Sequence, residues 1–310
     1  MLTSPTTQPP PAKPPSYRIF DVQLKRRIAV SPSLVRLVFT GPQLQAMRTV
    51  APDQRIKLLF PSADGVPAQL PHERNWHQTL RALPAEHRPP MRTYTIRALR
   101  CDALEVDVEF VLHGDTGPAS RWATHAQPGD RLQMVAPCRD HADDPGGYEW
   151  QPPAGIRHVV LIGDETALPA VVGILEALAQ ASPAPNVQAF IEVPLDSDRQ
   201  PLNLPEGFQV NWLARDALGL QQGEGMLKAA REWATLPQPE AQTSAPLNDI
   251  DIDTQLVWEL ATPQDNRFYA WVAGESATVM SIRRHFISER GLDRRALTLM
   301  GYWRHGRVLG

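Results

Sequence analysis

The sequence predicts two folding units in series: a small antiparallel β-barrel, then an open, mostly parallel α/β sheet. In the first half, short apolar runs alternate with polar residues at a period of two, which is typical of strands. After Pro152-Pro153, continuous apolar runs are separated by helical stretches, which is typical of a parallel sheet covered by helices. We therefore expect the barrel over residues 17–150 and the α/β unit over residues 155–310.

The composition is that of a globular protein without a strong overall charge. The 310 residues suffice for two domains with separate cores, and the chain is 42% apolar and 21% charged. A net charge of −3 provides no overall basic field, so no nucleic-acid partner is predicted. Cys101 and Cys138 cannot supply the four thiolates of an iron–sulfur cluster or a Cys₄ zinc site, and we expect two free thiols.

The N-terminal segment Met1–Ser16 is rich in proline, which lacks a backbone donor, and is predicted to be a disordered tail. It contains no apolar stretch of the kind found in secretory signals. No run in the chain approaches the roughly 18 apolar residues that a membrane span requires. These features predict a cytoplasmic protein without membrane insertion, and a monomer is the expected state.

Besides Met91–Arg97, which is described below, five extended segments are predicted in the barrel. They are Arg18–Val30, Leu34–Thr40, Arg55–Phe60, Leu104–Leu112 and Arg131–Ala136. In Leu104–Leu112, apolar residues alternate with Glu105, Asp107 and Glu109, so we expect one buried face and one solvent-exposed face. The segment Pro61–Pro90, rich in proline, histidine and charge, is predicted to be an excursion from the barrel.

The second half alternates strands with helices. The predicted strands are His158–Gly163, Val187–Val193, Phe208–Ala214, Tyr269–Gly274 and Leu297–Trp303. The predicted helices are Ala167–Ala181, Gly225–Leu236 and Ala277–Arg290. The basic run Arg283-Arg284-His285 is expected on the solvent-exposed face of the last helix, and the polar segment Pro237–Leu256 is expected to be a mobile insertion.

The segment Met91–Arg97, MRTYTIR, has the residue types of a flavin-binding strand. A flavin needs a flat aromatic partner, a donor near its ring nitrogen and positive charge for its phosphates. Tyr94, Thr95 and Arg92 are residues of these types, and in a strand Arg92 and Tyr94 share one face. For this segment alone, an ordinary strand with a core tyrosine and solvated arginines is the alternative.

The segment His113–Ala123, HGDTGPASRWA, is typical of an anion-binding turn before a helix. It contains two glycines, Gly114 and Gly117, and Pro118 stands where the first helical residue would be. The free N–H groups of such a helix start can bind a pyrophosphate. Helix starts without ligands are common, so this motif gains its meaning from its combination with the flavin-type strand.

Several motifs in register carry a family resemblance. The pair RTYTIR and HGDTGPASRWA, followed by the turn PGDRL, resembles the siderophore-interacting proteins, which are FAD-dependent ferric-siderophore reductases of the ferredoxin-reductase superfamily. In the second half, GDETALPA at 163–170, WVAGE at 271–275 and GYWR at 301–304 resemble the nicotinamide-domain motifs of that family. The resemblance implies an FAD-binding barrel and a Rossmann-like α/β unit that binds NAD(P)H.

The resemblance also implies roles for individual residues. Arg92 would bind an FAD phosphate, Tyr94 would stack on the isoalloxazine and Thr95 would bond near its N5 atom. The implied FAD contacts are Arg92, Thr93, Tyr94, Thr95, His113, Gly114, Gly117, Pro118, Ala119, Ser120 and Trp122. The implied NAD(P)H contacts are Gly163, Glu165, Thr166, Ala167, Gly274 and Glu275.

The implied substrate is an anionic ferric siderophore, so basic side chains should surround the open flavin edge. The resemblance points to Lys57, Arg139 and Arg304, with a solvated surface charge as the alternative for each. No catalytic base or nucleophile is predicted, because the cofactor carries the electron transfer. No metal site is predicted, because two aspartate clusters lack a matching set of ligands. These clusters are Asp140, Asp143 and Asp144, and Asp249, Asp251 and Asp253.

The implied reaction reduces a ferric siderophore to release Fe(II), with electrons from NAD(P)H via FAD. One alternative is a reductase of free flavin, quinone or another acceptor on the same fold. A second is a non-enzymatic flavoprotein that binds siderophore, and a third is a nucleotide-binding module without flavin. NADPH and NADH both stay open as donors, and Arg215 is a candidate for binding a 2′-phosphate.

Overall fold

The computed structural model describes residues 14–62, 65–72, 76–114, 117–238 and 257–307. Most of the predicted tail, most of the predicted insertion and the aspartate cluster at 249–253 lie outside these residues. The described strands form two sheets, one of seven strands and one of six. The predicted fold class, an antiparallel barrel followed by a mostly parallel α/β sheet, is confirmed. None of the helices in the described ranges has the length and apolar character of a membrane span.

The barrel sheet is antiparallel in every pairing. Its strands are β1 (Tyr17–Ser31), β2 (Leu34–Thr40), β3 (Arg55–Leu59), β4 (Met91–Thr95), β5 (Ala98–Arg100), β6 (Glu105–Val111) and β7 (Arg131–Pro137). They follow the order β4-β3-β7-β1-β2-β6-β5. The fully buried rings of Phe20, Phe39, Phe60 and Phe110 lie in the barrel core.

Helices occupy two of the barrel connections. Helix α1 (Trp76–Ala82) lies between β3 and β4, in the segment predicted only as an excursion, and α2 (Pro118–His125) lies between β6 and β7. Short 3-10 helices cover Pro42–Ala46 and Ala85–His87. The predicted helix start at Pro118 is confirmed, because Gly117 is the N-cap and the proline occupies the first turn.

The acidic side chains of β6 are buried, so the predicted solvent-exposed face is wrong. Glu105, Asp107 and Glu109 are only 6%, 4% and 4% exposed. Arginines from adjacent strands cover them: Arg36 donates to Glu109 at 2.6 Å, and Arg100 donates to Asp107 at 3.0 Å. The period of two is correct, but cross-strand ion pairs replace water on the acidic face.

The second sheet is parallel except for one edge strand among those described. Its strands are β8 (His158–Gly163), β9 (Asn186–Val193), β10 (Phe208–Ala214), β11 (Trp258–Glu259), β12 (Phe268–Glu275) and β13 (Leu297–Trp303), in the order β10-β9-β8-β12-β13-β11. Its α-helices are α3 (Leu168–Ala179), α4 (Arg215–Leu218), α5 (Glu224–Lys228) and α6 (Ser276–Arg284). The carboxyl ends of β8, β12 and β13 therefore meet at one edge, where ligands bind in open α/β sheets.

Two predicted helices continue as π-helical turns. In place of Gly225–Leu236, α5 is followed by a π-helical turn at Ala229–Trp233. In place of Ala277–Arg290, α6 is followed by one at His285–Glu289. Short 3-10 helices at Asp196–Asp198 and Arg294–Ala296 complete the described elements.

The basic run of α6 is mostly buried, so its predicted exposure is wrong for two of the three residues. Arg283 is 5% exposed and pairs with Glu259 at 2.8 Å, and His285 is 9% exposed. Only Arg284 is exposed. The reason is the edge strand β11, which the sequence pattern did not predict and which carries Glu259 against this face of the helix.

Polar contacts join the barrel to the second unit in two places. Asp198 accepts hydrogen bonds from Ser31 Oγ at 2.6 Å and from the backbone N–H of Ser33 at 2.9 Å. Arg97, two residues beyond the end of β4, forms a bidentate ion pair with Glu176 of α3, at 2.9 and 2.6 Å. These contacts tie the β1–β2 turn and the end of β4 to the helical layer of the second sheet.

Candidate functional site

The tyrosine of β4 is fixed by aromatic packing. Its half-buried ring lies 4.3 Å, centroid to centroid, from the ring of Phe110, and it packs against the barrel core. Burial raises the pKa of Tyr94, so its phenol stays protonated at neutral pH. Thr95, the next residue, is 6% exposed and lies opposite Arg55 of β3. The strand thus holds an aromatic ring and a hydroxyl in a preset arrangement, as a flavin partner requires.

Arg92 carries a positive charge that no carboxylate of the described residues neutralises. Its Nη1 donates to the carbonyl oxygen of Met91 at 2.8 Å. Thr93 points to the opposite face, where Lys57 Nζ donates to its hydroxyl at 3.3 Å. The guanidinium is therefore available for an anionic group on the face that it shares with Tyr94.

The turn before α2 is shaped for a phosphate. Gly114 has φ of 76°, a conformation that favours glycine, and a Cβ at Gly114 or Gly117 would meet no atom within 4 Å. The Ser120 hydroxyl donates to the carbonyl of Gly114 at 2.7 Å and accepts from the N–H of His113 at 3.3 Å. Because that hydroxyl holds the turn, the first-turn N–H groups of α2 are the donors left for a ligand. The open glycines, the N–H groups at the start of α2 and the Arg92 charge fit an FAD pyrophosphate.

Two predicted FAD contacts on α2 have side chains that pack into the barrel. Trp122 stacks on Phe39, with ring centroids 6.1 Å apart, and lies 5.8 Å from Phe60. Ala119 is 8% exposed and belongs to the same core. These side chains fix the helix on the barrel, and the structure leaves the backbone N–H of Ala119 as its group suited to a phosphate.

A buried carboxylate, Asp164, ties together the three strand ends of the second sheet. Its Oδ1 accepts from the N–H and hydroxyl of Thr166 at 2.9 and 2.5 Å. Its Oδ2 accepts from the N–H of Glu275 at 2.9 Å and from Trp303 Nε1 at 2.8 Å. A Cβ at Gly274 would lie 2.7 Å from Oδ2, so only glycine fits there without a shift. The predicted NAD(P)H segments around Gly163–Ala167 and Gly274-Glu275 are therefore in direct contact.

Asp164 and Trp303 were not predicted as site residues, although Asp164 lies in the motif GDETALPA and Trp303 lies in the motif GYWR. Asp164 is 1% exposed. Burial, with the negative charge of Glu165 next, raises the pKa of Asp164 from its usual 3.8 to about 7. Hydrogen bonds from Thr166 and Trp303 oppose this rise in pKa but do not cancel it.

Glu165 and Arg215 form an ion pair. Arg215 donates to both carboxylate oxygens of Glu165 at 2.9 Å and to Glu192 at 3.0 Å. Glu192 has no solvent exposure and also accepts from the N–H groups of Gly223 and Met226. One guanidinium thus faces two carboxylates, which makes Arg215 a poor site for the additional charge of a 2′-phosphate.

The three predicted substrate-binding residues come from different parts of the surface. Lys57 is half-buried on the outer face of β3, and burial, followed by the nearby Arg55, lowers its pKa. Arg139 is exposed and lies beyond the end of β7, four residues after Val135, the register partner of Lys57. Arg304 directly follows β13 at the edge formed by Asp164. The structure does not place the three in mutual contact.

These two sites and their order along the chain define a class of protein. An antiparallel barrel with a flavin-type strand and a phosphate-type turn is followed by a parallel sheet with a ligand-type edge. This is the plan of flavoprotein reductases of the ferredoxin-reductase-like class.

Comparison with known proteins makes the assignment more specific. The family model for a siderophore-interacting FAD-binding domain matches residues 23–141, and the model for siderophore-interacting proteins matches residues 156–306. The chain therefore belongs to the siderophore-interacting protein family.

Individual relatives agree along nearly the whole chain. The ferric vibriobactin reductase ViuB of Vibrio cholerae is 27% identical over 91% of this chain and 88% of its own. The NADPH-dependent ferric-chelate reductase of Escherichia coli is 27% identical over 92% of this chain and 93% of its own. The crystal structure of the siderophore-interacting protein SipS from Aeromonas hydrophila superposes with a TM-score of 0.66 at 30% identity, covering 95% of this chain and 94% of that one.

Proposed function

We propose that this chain is an FAD-dependent ferric-siderophore reductase that draws electrons from NADPH or NADH. The observation that carries the proposal is the combination, in one chain, of the β4–α2 flavin arrangement with the strand edge organised by Asp164. The relatives named as ferric vibriobactin reductase and ferric-chelate reductase act on substrates of this class.

The barrel residues bind and orient the cofactor. Arg92 and the first-turn N–H groups of α2 bind its phosphates, and Tyr94 and Thr95 position its ring. Bound FAD supplies the conversion from two-electron hydride chemistry to the one-electron reduction of Fe(III). No side chain of this chain needs to act as a nucleophile or a general base in that conversion.

The edge of the second sheet binds the electron donor. Asp164 holds the Glu275 backbone and the Trp303 indole at fixed positions beside the GDET turn. This arrangement gives the nicotinamide a rigid surface to lie against, which reduces the entropic cost of aligning it for transfer. We keep both NADPH and NADH as electron donors. One relative is named as NADPH-dependent, but Arg215, the candidate for binding the 2′-phosphate of NADPH, already pairs with Glu165 and Glu192.

The substrate is an anionic chelate of Fe(III), with Lys57, Arg139 and Arg304 as the proposed basic contacts. Hard, charged oxygen ligands hold Fe(III) more strongly than Fe(II), so reduction weakens the complex and releases the metal. Because reduced nicotinamide coenzymes are held in the cytoplasm, we place the reaction there, and the chain is proposed to act as a monomer.

An anaerobic acceptor screen tests this function. Purified protein with bound FAD is mixed with NADPH or NADH and a ferric siderophore, and Fe(II) is trapped with a chromogenic chelator. We expect Fe(II) to form with at least one coenzyme. Turnover confined to free flavin or quinone would favour the alternative reductase, and chelate binding without turnover would favour a non-enzymatic siderophore-binding protein.

A further inference from the structure

We propose that helix α1 forms one wall of the substrate groove, and that Arg81 and His77 on this helix act with Lys57 to select anionic chelates. This inference rests on the proposed reductase function and adds to it a recognition element outside the three basic residues predicted from the sequence.

The outer face of β3 defines the groove. Arg55, Lys57 and Leu59 are alternate residues and share that face. At one end, the Arg55 guanidinium lies 4.5 Å from the ring of Trp258 in the second sheet. At the other end, Leu59 packs in one cluster with Trp76 of α1. Four residues of strand rise separate these ends by about 13 Å, with Lys57 midway on the floor.

Helix α1 is seated firmly at its end of the groove. Trp76 is 4% exposed, and Leu80 and Leu83 pack against the same outer cluster. The Arg88 guanidinium donates to the carbonyls of Leu83 and Arg81, both at 2.7 Å, and so closes the carboxyl end of the helix. Helix α1, the proposed wall of the groove, is therefore held on the barrel by these contacts.

The basic residues of α1 lie near Lys57, because the buried side of this helix packs against Leu59 and Val135, which neighbour that lysine on β3 and β7. His77 and Arg81 are one turn apart and exposed, next to the buried face of Trp76 and Leu80. Partial burial, and then the positive charges of Arg81 and Lys57, lower the pKa of His77, which is consistent with this proximity.

The charge of this cluster has no carboxylate partner within the described residues. Lys57 Nζ has a hydroxyl partner, Thr93 Oγ1, at 3.3 Å. Lys57 and Arg81 are the basic side chains of this cluster, and the imidazole of His77 can add a hydrogen-bond donor. A multiply charged tris-catecholate complex of Fe(III) supplies the missing negative charge, whereas a neutral trihydroxamate complex gains little.

Binding and turnover of matched chelates test this role. We compare Arg81→Gln with Arg231→Gln, because each substitution removes one positive charge. Only Arg81 belongs to α1, whereas Arg231 is exposed in the π-helical turn Ala229–Trp233 of the second unit. The probes are the triply negative Fe(III) tris-catecholate, a neutral Fe(III) trihydroxamate and the Ga(III) tris-catecholate, which cannot be reduced. For Arg81→Gln, we expect KM for the anionic chelate and Kd for its gallium form to rise about two- to fivefold. Values for the neutral chelate and for NADPH should stay unchanged.

Two results would overturn the inference. One is an Arg81→Gln variant that binds the gallium tris-catecholate like the wild type. The other is an equal loss in Arg231→Gln, because this would mean that only the overall charge matters. The gallium measurement keeps this test separate from the proposed function: a wild type that binds gallium chelate but reduces no ferric chelate contradicts reductase activity alone.

Discussion

The indole N–H of Trp303 donates to the Asp164 carboxylate at 2.8 Å and so links the ends of β13 and β8 across the intervening strand β12. The same carboxylate oxygen accepts the N–H of Glu275 at the end of β12. One buried acid thus organises the edge at which we place the nicotinamide.

The substitution Trp303→Phe tests this link, because it keeps an aromatic ring and removes the donor. We expect the rate of flavin reduction by NAD(P)H to fall about tenfold, since the loss of the hydrogen bond to the buried Asp164 carboxyl lets the edge shift. Stopped-flow absorbance of the bound flavin measures this rate.

The matched control is Trp212→Phe in β10, at the far edge of the same sheet. It should leave flavin reduction unchanged. In both variants, reoxidation of dithionite-reduced flavin by ferric chelate should match the wild type. An equal slowing of both half-reactions in Trp303→Phe would mean general disorder rather than loss of nicotinamide positioning.

The buried Asp164 carboxyl also predicts how stability depends on pH. Its folded-state pKa, raised from 3.8 to about 7, means that the folded state binds the proton more tightly than the unfolded state. Its contribution to stability is therefore full below about pH 4 and lost as pH rises towards about pH 7. The free energy of unfolding of the wild type, minus that of Asp164→Asn, should decrease over this window in denaturant titrations.

Asp198→Asn provides a control of opposite sign. Burial acts to raise the Asp198 pKa, but hydrogen bonds from Ser31 and Ser33 outweigh it and hold the pKa below its usual value. Its stability contribution should be present at neutral pH and be lost in acid. The same direction of change for both variants would contradict the assigned environment of Asp164.

Arg92 is predicted to hold FAD rather than the fold. Because its guanidinium has no carboxylate partner among the described residues, Arg92→Gln should leave the melting temperature of the apoprotein unchanged. The Kd for FAD should rise about tenfold to a hundredfold, the effect of losing a charge-assisted bond. Fluorescence titration of apoprotein with FAD measures this, and Arg231→Gln, in the π-helical turn of the second unit, is the control. Unchanged FAD affinity would remove Arg92 from the site.

The buried acids of β6 are predicted to matter for stability rather than for activity. Glu109 is 4% exposed and accepts two hydrogen bonds from Arg36, at 3.0 and 2.6 Å. Glu109→Gln should lower the free energy of unfolding by about 3 kcal/mol, since it leaves a guanidinium without its partner. Denaturant unfolding measures the change, and the exposed Glu86→Gln serves as the control. A change below about 0.5 kcal/mol, the range of ordinary surface substitutions, would mean that water compensates the arginine.

Local patterns predicted the strands well because strand length and periodicity are properties of adjacent residues. The bounds of Leu34–Thr40, His158–Gly163, Phe208–Ala214 and Leu297–Trp303 agree with the structure. Exposure on β6 was mispredicted because the covering charge of Arg36 comes from 73 residues away. A periodic pattern contains no information about such partners.

The functional site also combines local motifs, which the sequence pattern predicts, with long-range contacts, which it does not. The strand Met91–Thr95 and the glycine turn before α2 are local motifs, and the sequence predicted both elements, while their roles as flavin and phosphate sites stay a prediction. The role of Asp164 depends on Glu275 and Trp303, which are 111 and 139 residues away, so only the folded chain reveals it. Helix α1 escaped prediction because its apolar face consists of few residues, Trp76, Leu80 and Leu83, within a proline-rich segment.

The measurement that tests flavin-mediated ferric-siderophore reduction most directly is an anaerobic two-step titration of the purified protein. NADPH or NADH should bleach the absorbance of the bound flavin, and addition of a ferric siderophore should restore it while two Fe(II) are trapped per flavin. Flavin that is reduced by the coenzyme but is not reoxidised by any ferric siderophore, with no Fe(II) formed, would contradict the proposed function.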